Sequence, residues 1–151
     1  MLSYAHGADD RPLIGQTIGD FFDAICASHA GHEALVSRHQ GIRWTYGELR
    51  ERVDELARAL IGLGIQKGDR VGIWSPNHAE WVITQFATAK IGAILVNINP
   101  SYRVHELEYA LRQSGCSALI IAHPFKTSNY AELLRELCPE LEWSRPGQLR
   151  A

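Results

Sequence analysis

Apolar and polar positions in the middle of this chain follow the order strand, helix, strand. Two short apolar runs, 71–74 and 93–98, lie on either side of a segment whose apolar residues have helical spacing. Polar turn residues end both runs, at 75–77 and at Asn99-Pro100. This order within about thirty residues is typical of a right-handed βαβ unit with parallel strands. Because ligands bind at the carboxyl edge of such sheets, we place any small-molecule chemistry at these turns.

The pattern before this unit predicts a helix, a β-hairpin and a second helix. Residues 1–16 are expected to form an extended lead-in, and Thr17 caps a helix with one strongly apolar face. The β-prone runs 34–37 and 42–45 flank a turn and predict the hairpin.

The second helix has the clearest start signal in the sequence. Thr45 and Glu48 form a capping box, in which each side chain bonds the backbone of the other residue. On the polar face of this helix, Asp54 and Arg58 are four residues apart and are expected to pair. Its apolar face decides how it docks, because one buried large side chain contributes more than a surface ion pair.

The pattern after the first central run continues the alternation of helices and strands. Asn77 and Glu80 are expected to form a capping box for the helix between the two runs. A helix over roughly 103–113 and a third β-run over 117–122 follow, and Asn129 caps a last helix. We predict an α/β fold, a three-layer open sheet with a parallel βαβαβα core preceded by a helix, a β-hairpin and a helix. Residues 17–151 form one unit in this interpretation.

Composition and charge exclude several classes of protein. With 46% hydrophobic and 21% charged residues, the 151-residue chain is expected to be globular rather than disordered. A net charge of −2 without a basic stripe argues against nucleic acid as the main partner. The apolar runs are shorter than the ~20 residues of a membrane span, and no secretory signal is visible, so we predict a cytoplasmic protein. Three widely spaced cysteines agree with reduced thiols.

Four segments in chain order resemble the start of the adenylate-forming enzymes, the AMP-binding and acyl-CoA synthetase family. WTYGEL at 44–49 is similar to the family's first core motif, and GIQKGDRV at 64–71 is similar to its Gly-x-x-x-Gly-Asp-x-Val segment. AKIGAILVNINP at 89–100 resembles the second core motif, where a helix ends in glycine and enters a strand. Residues 106–111 continue in the manner of the fatty-acid ligase branch. The resemblance covers about 17–141.

The resemblance implies a fragment of a fatty-acid–CoA ligase. In this family a carboxylate attacks ATP to give an acyl-adenylate and pyrophosphate, and the thiol of coenzyme A then displaces AMP, with Mg²⁺ assisting the first step. The family's phosphate loop, rich in Ser, Thr and Gly, has no counterpart here, and Thr127-Ser128-Asn129 lacks the necessary glycines. We therefore expect residues 17–151 to be an N-terminal subdomain without catalytic residues, inactive alone and not binding ATP, Mg²⁺ or coenzyme A tightly. It is expected to self-associate through exposed apolar surface.

Five polar residues near the ends of the three predicted strands are candidates for contact with coenzyme A. Three of them are basic and lie at helix starts, where a cation is mildly disfavoured unless something else attracts it. The candidates are His78, Asn99, Ser101, Arg103 and Lys126. The alternative is that the basic residues are solvated charges beside turns. No metal site is predicted, because His29, His32 and His39 flank a helix end and a turn rather than fixed elements.

Two other functions remain open at this point. The chain is either the ligase fragment or a stand-alone, non-catalytic α/β module that binds a small anion or pairs with another chain. Continuation of the coding region past Ala151 into a phosphate loop separates these hypotheses.

Overall fold

The computed structural model describes residues 7, 10, 13–125, 128–145 and 147–149. Its elements follow the predicted order, and the predicted α/β class is confirmed. They are α1 (Ile18–Ser28), β1 (Glu33–Ser37), β2 (Ile42–Thr45), α2 (Tyr46–Gly62), β3 (Arg70–Trp74), α3 (Ala79–Ile91), β4 (Ile94–Ile98), α4 (Val104–Ser114), β5 (Ala118–Ile121) and α5 (Tyr130–Leu137). One 3₁₀ turn, Arg38–Gln40, joins β1 to β2, and another, Pro139–Glu142, follows α5.

Three of the predicted helix starts are confirmed at atomic detail. Thr17 Oγ1 accepts the N–H of Asp20 at 3.1 Å, and Thr45 with Glu48 forms the reciprocal capping box. Asn129 accepts the N–H of Glu132 at the start of α5. These caps satisfy helix N–H groups that have no partner inside the helix.

The sheet has the strand order β4-β3-β5, and both pairings are parallel. Trp74 aligns with Ile98 on one side and with Ile121 on the other, so the three carboxyl ends are level. The β1–β2 hairpin forms a separate antiparallel sheet. The parallel pairing predicted from the βαβ spacing is therefore confirmed.

Side chains of β3 alternate between two cores on opposite faces of the sheet. Val71 belongs to a core shared with α1, α2 and α3, which we name the three-helix face; its buried members are Phe22, Cys26, Leu49, Val53, Ala57, Leu60, Ile65, Val71 and Ala87. Trp74 belongs to a smaller core under α4 and α5, the two-helix face, whose buried members are Trp74, Ile98, Leu107 and Tyr130. The sheet is thus covered on both faces, as parallel sheets require.

The predicted capping box at the start of α3 is wrong. His78 is the N-cap residue, and its side chain makes no capping hydrogen bond. Instead Gln40, from the 3₁₀ turn of the hairpin, accepts the N–H of Ala79 at 2.8 Å through Oε1. Its Nε2 donates to Glu80 Oε2 at 2.8 Å, so the carboxylate expected to face Asn77 is held by the hairpin.

Asp54 makes its contacts with another helix rather than only along α2. Lys90 Nζ of α3 donates to Asp54 and, at 2.7 Å, to Asp23 Oδ1 of α1. Arg50 Nε lies 3.8 Å from Asp54 Oδ2 and 3.9 Å from Asp23 Oδ1. This Lys90 cluster therefore joins the three helices at one point. Lys90 is half-buried, which disfavours its charge, but the hydrogen bonds to the two aspartates outweigh that and raise its pKa.

Candidate functional site

The carboxyl edge of the sheet contains a topological switch point between β3 and β5. The chain leaves β3 toward β4 by way of α3 on one face, then returns across β3 to β5 by way of α4 on the other face. Ala122 N donates to Trp74 O at 3.2 Å, so the pairing of β3 and β5 extends to this edge. Ligands in open α/β sheets bind in the crevice at such a point. His78 follows β3, so it belongs to a segment that borders the crevice.

His78 is half-buried at the crevice, beside the hairpin turn. Its ring centroid is 5.2 Å from that of His39, at an interplanar angle of 33°. Burial of the neighbouring Glu80 opposes ionisation, but the hydrogen bond from Gln40 and the charges of His78 and His123 outweigh it and lower the pKa of Glu80. The carboxylate and the imidazoles come from the hairpin turn, the start of α3 and the loop after β5. These segments therefore form a polar wall on the three-helix side of the edge.

Asn99, Ser101 and Arg103 lie together in the connection from β4 to α4, on the side of β3 opposite to β5. Asn99 Oδ1 accepts the N–H of Ser101 at 2.9 Å, and all three residues are exposed. Arg103 is the N-cap residue of α4, and its own N–H donates to Glu106 Oε2 at 3.0 Å. Glu106 thus accepts the backbone N–H of Arg103 at this end of α4, and Arg103 is the basic residue of the connection.

Sequence reasoning missed two buried residues beneath this connection, Trp74 and Tyr130. Trp74 Nε1 donates to the carbonyl of Asn99 at 3.0 Å, and Tyr130 Oη donates to the carbonyl of Pro100 at 3.2 Å. The two rings meet edge to face, with centroids 4.5 Å apart. The available signal was chemical: a buried Trp or Tyr almost always needs a hydrogen-bond partner for its polar atom.

The structure therefore divides the candidate residues into two groups. His78 belongs to the wall formed with the hairpin, whereas Asn99, Ser101 and Arg103 belong to the connection above Trp74 and Tyr130. Lys126 lies outside the described residues. The part of these residues in coenzyme A binding stays a prediction.

The donor atoms of the described residues do not fit a metal ion. In the ranges 13–125 and 128–145 and the few described residues outside them, no group of three or more His, Cys, Asp and Glu could hold one. His29 and His32 face each other with ring centroids 5.4 Å apart, while His39 lies against His78. The described residues thus do not offer a group of three donors for the Mg²⁺ implied by the family resemblance.

A groove of about 560 Å³ lies beside β5 on the two-helix face, away from the carboxyl ends of the strands. Its walls come from α4, the loop before β5, α5 and the 3₁₀ turn after it, and include Leu111, Cys116, Leu119, Leu134, Leu137 and Cys138.

Of the helices that the structure describes, none is long and apolar enough to cross a membrane.

Comparison with known proteins gives one family and close relatives. The family model for AMP-binding enzymes matches residues 22–145. The medium-chain acyl-CoA ligase ACSF2, mitochondrial, of Rattus norvegicus is 44% identical over 150 residues, which cover 99% of this chain and 24% of the rat protein. The chain thus spans about a quarter of the length of the curated relatives it matches.

Solved structures show the same architecture. A fatty acyl CoA synthetase of Mycobacterium tuberculosis aligns with a TM-score of 0.68 and 30% identity, over 70% of this chain and 21% of that protein. The N-terminal subdomain of Klebsiella oxytoca NpsA, in complex with 3-hydroxyanthranilyl-AMSN, aligns with a TM-score of 0.66 and 28% identity, over 75% of this chain and 30% of that chain.

Proposed function

Because the chain belongs to the AMP-binding enzyme family, we propose that it is the N-terminal part of a fatty-acid–CoA ligase. The observation that carries this proposal is the family match over 22–145, which spans the whole parallel sheet. The name of the rat relative favours a medium-chain fatty acid as substrate. The proposed reaction joins the acid to AMP at the expense of ATP and then transfers the acyl group to coenzyme A.

We propose that residues 17–151 supply a scaffold and no catalytic group. The phosphate loop and the ligands for Mg²⁺ would lie in sequence that follows, since the chain spans 24% of the rat relative and the described residues offer no metal site. Adenylation by this chain alone is then not expected. Exposed apolar side chains, such as Ile61, Leu63 and Ile94, support self-association of the isolated chain.

Within the ligase, the carboxyl edge is proposed to contact the phosphates of coenzyme A. Arg103 and Lys126 would supply charge, because guanidinium and ammonium groups make strong hydrogen bonds to phosphate. Asn99, Ser101 and His78 would donate further hydrogen bonds from the same edge. The N–H groups at the start of α3 contribute less than the sequence suggested, since Gln40 already accepts the N–H of Ala79.

The activity is tested with the protein encoded by the complete reading frame. Purified protein is incubated with ATP, Mg²⁺, coenzyme A and fatty acids of graded length, and acyl-CoA is measured by mass spectrometry. We expect medium-chain acyl-CoA and AMP in equal amounts. A reading frame that ends at Ala151, or a longer protein that forms no acyl-CoA, would remove the ligase proposal.

The coenzyme A contact has its own test in the same protein. Arg103→Ala and Lys126→Ala are each expected to raise the KM for coenzyme A about tenfold, since a hydrogen bond to a charged group contributes about 1.5 kcal/mol. The matched control is Arg58→Ala, an exposed arginine on α2. Unchanged KM values in both edge variants would show that these residues are ordinary solvated charges.

A stand-alone anion-binding module is the second candidate, and the exposed Asn99, Ser101 and Arg103 at the level carboxyl ends of the strands are the feature that favours testing it. Thermal unfolding of the 151-residue chain with and without ATP separates the two. A ligand that binds the folded state raises its stability and therefore its unfolding temperature. The ligase-fragment proposal expects no shift with ATP, because the fragment lacks the phosphate loop.

The compartment is also a proposal. We keep the cytoplasm as the expected location, although the rat relative is named as a mitochondrial protein. Fractionation of cells that express the complete reading frame would distinguish the two compartments.

A further inference from the structure

We propose that Trp74 and Tyr130 are positioning residues that hold the connection 99–103 in the conformation that receives coenzyme A. This role rests on the proposed ligase function, because it assigns a purpose to the Asn99, Ser101 and Arg103 side chains. The connection is the segment between β4 and α4, and its two anchors come from β3 and α5.

The anchors donate hydrogen bonds to two consecutive backbone carbonyls. The indole N–H of Trp74 bonds the carbonyl of Asn99, and the hydroxyl of Tyr130 bonds the carbonyl of Pro100, at 3.0 and 3.2 Å. Both side chains are fully buried, and their edge-to-face contact fixes each ring against the other. Two adjacent peptide groups are therefore tied, one to β3 and the other to α5.

The side of the connection away from Trp74 and Tyr130 is left for its own side chains. The Asn99 carbonyl also accepts the N–H of Tyr102 at 3.0 Å, and Asn99 Oδ1 accepts the N–H of Ser101. Hydrogen bonds within the turn thus add to those from the two anchors. Freeing either carbonyl would let Asn99 and Ser101 rotate away from the edge, which weakens a site that depends on their placement.

The Tyr130 hydroxyl separates positioning from packing. A phenylalanine ring at this position would fill the same space against Trp74, whereas only the hydroxyl reaches Pro100. Burial raises the pKa of Tyr130, and the charge of Arg103 opposes this only in part, so the hydroxyl keeps its proton and remains a donor.

The test compares Tyr130→Phe with Tyr109→Phe in the protein encoded by the complete reading frame. Tyr109 is an exposed residue of α4 and is the matched control for loss of one hydroxyl. We expect Tyr130→Phe to raise the KM for coenzyme A about fivefold, which is what one neutral hydrogen bond contributes. Fatty-acid-dependent exchange of pyrophosphate into ATP, which needs no coenzyme A, should keep its rate.

Amide hydrogen exchange in the same proteins gives a readout that does not depend on activity. Peptides covering 99–104 should exchange faster in Tyr130→Phe than in the wild type or Tyr109→Phe, while peptides of α2 should not change. An unchanged KM in an active Tyr130→Phe enzyme, or equal loss in the exchange reaction and the thioester reaction, would overturn the positioning role alone. A wild-type protein that forms no acyl-CoA would overturn the proposed function together with it.

Discussion

The two faces of the sheet are built in different ways. The three-helix face has a broad buried core, and the Lys90 cluster ties α1, α2 and α3 together at its surface. Among the described residues, the core of the two-helix face has four buried members with Trp74 and Tyr130 at its centre, and beside them lies the groove of about 560 Å³. The first face thus derives its stability from many contacts, whereas the second depends on one aromatic pair that also holds the connection 99–103.

The largest difference between the faces should follow truncation of that pair. Trp74→Ala removes the centre of the smaller core and leaves the Asn99 carbonyl without its indole donor, so we expect a loss of about 4 kcal/mol in the free energy of unfolding. Phe22→Ala on the three-helix face should cost about 3 kcal/mol, because the remaining contacts are more numerous. Urea unfolding of both variants measures this, and a smaller loss for Trp74→Ala would contradict the assigned role of the pair.

Removal of the ion cluster should weaken only the three-helix face. Lys90→Ala leaves Asp23 and Asp54 facing each other with Arg50 as the nearest cation, and we expect a loss of about 2 kcal/mol, less than for a fully buried pair. Because the pKa of Lys90 is raised above its usual 10.5, its contribution is fully present below that pH. It disappears as the pH rises through the folded-state pKa.

Urea unfolding at pH 7 and above pH 11 checks this, with Arg58→Ala as the control that should change little. A deficit of Lys90→Ala that stays the same at both pH values would show that packing of the lysine stem, rather than its charge, stabilises the helices.

The hairpin contact should give a smaller and pH-dependent effect. Gln40→Ala removes the cap of Ala79 and the partner of Glu80, and we expect a loss of about 1 kcal/mol at neutral pH. The lowered pKa of Glu80 means that its share of the stability exists above its usual pKa of 4.5 and is lost as the pH falls through the folded-state value. The loss in free energy of unfolding of Gln40→Ala relative to the wild type should therefore be smaller at pH 3.5 than at pH 6. A constant deficit would limit the role of Gln40 to the helix cap.

Two glycine-to-alanine changes should give the smallest effects and distinguish a tight face from an adaptable one. In Gly19→Ala the new Cβ would lie 3.0 Å from the Lys90 Cα, a backbone atom of α3 that cannot easily move. In Gly72→Ala it would lie 2.9 Å from Leu119 Cδ1, the end of a flexible side chain that borders the groove. We expect a loss of about 1 kcal/mol for Gly19→Ala and about half of that for Gly72→Ala. Thermal unfolding of the two variants decides their order.

Local sequence signals predicted most of the fold, and contacts between distant residues account for what they missed. The Thr45–Glu48 capping box and the βαβ spacing depend on neighbours a few residues apart, and both were confirmed. Asn77 was expected to cap α3, but Gln40 does so from 39 residues away. No pattern of spacing reveals that partner, because only the tertiary packing brings the hairpin to the start of α3.

The candidate site was less predictable than the fold for the same reason. The strand ends could be placed from the sequence, so Asn99 and Ser101 were correctly placed just after β4, while their role in a site stays a prediction. The strand order β4-β3-β5 was not predicted, and neither was the contact of His78 with His39 of the hairpin. The support of the connection by Tyr130 depends on a contact 30 residues along the chain from Pro100.

Pyrophosphate release tests the central claim most directly, which is that this chain is the scaffold of a ligase whose reactive groups lie elsewhere in a longer protein. The 151-residue chain and the protein from the complete reading frame are each incubated with ATP, Mg²⁺ and a medium-chain fatty acid. We predict release by the longer protein and none above the enzyme-free rate by the 151-residue chain. Release by the 151-residue chain, or none by either protein, would contradict the claim.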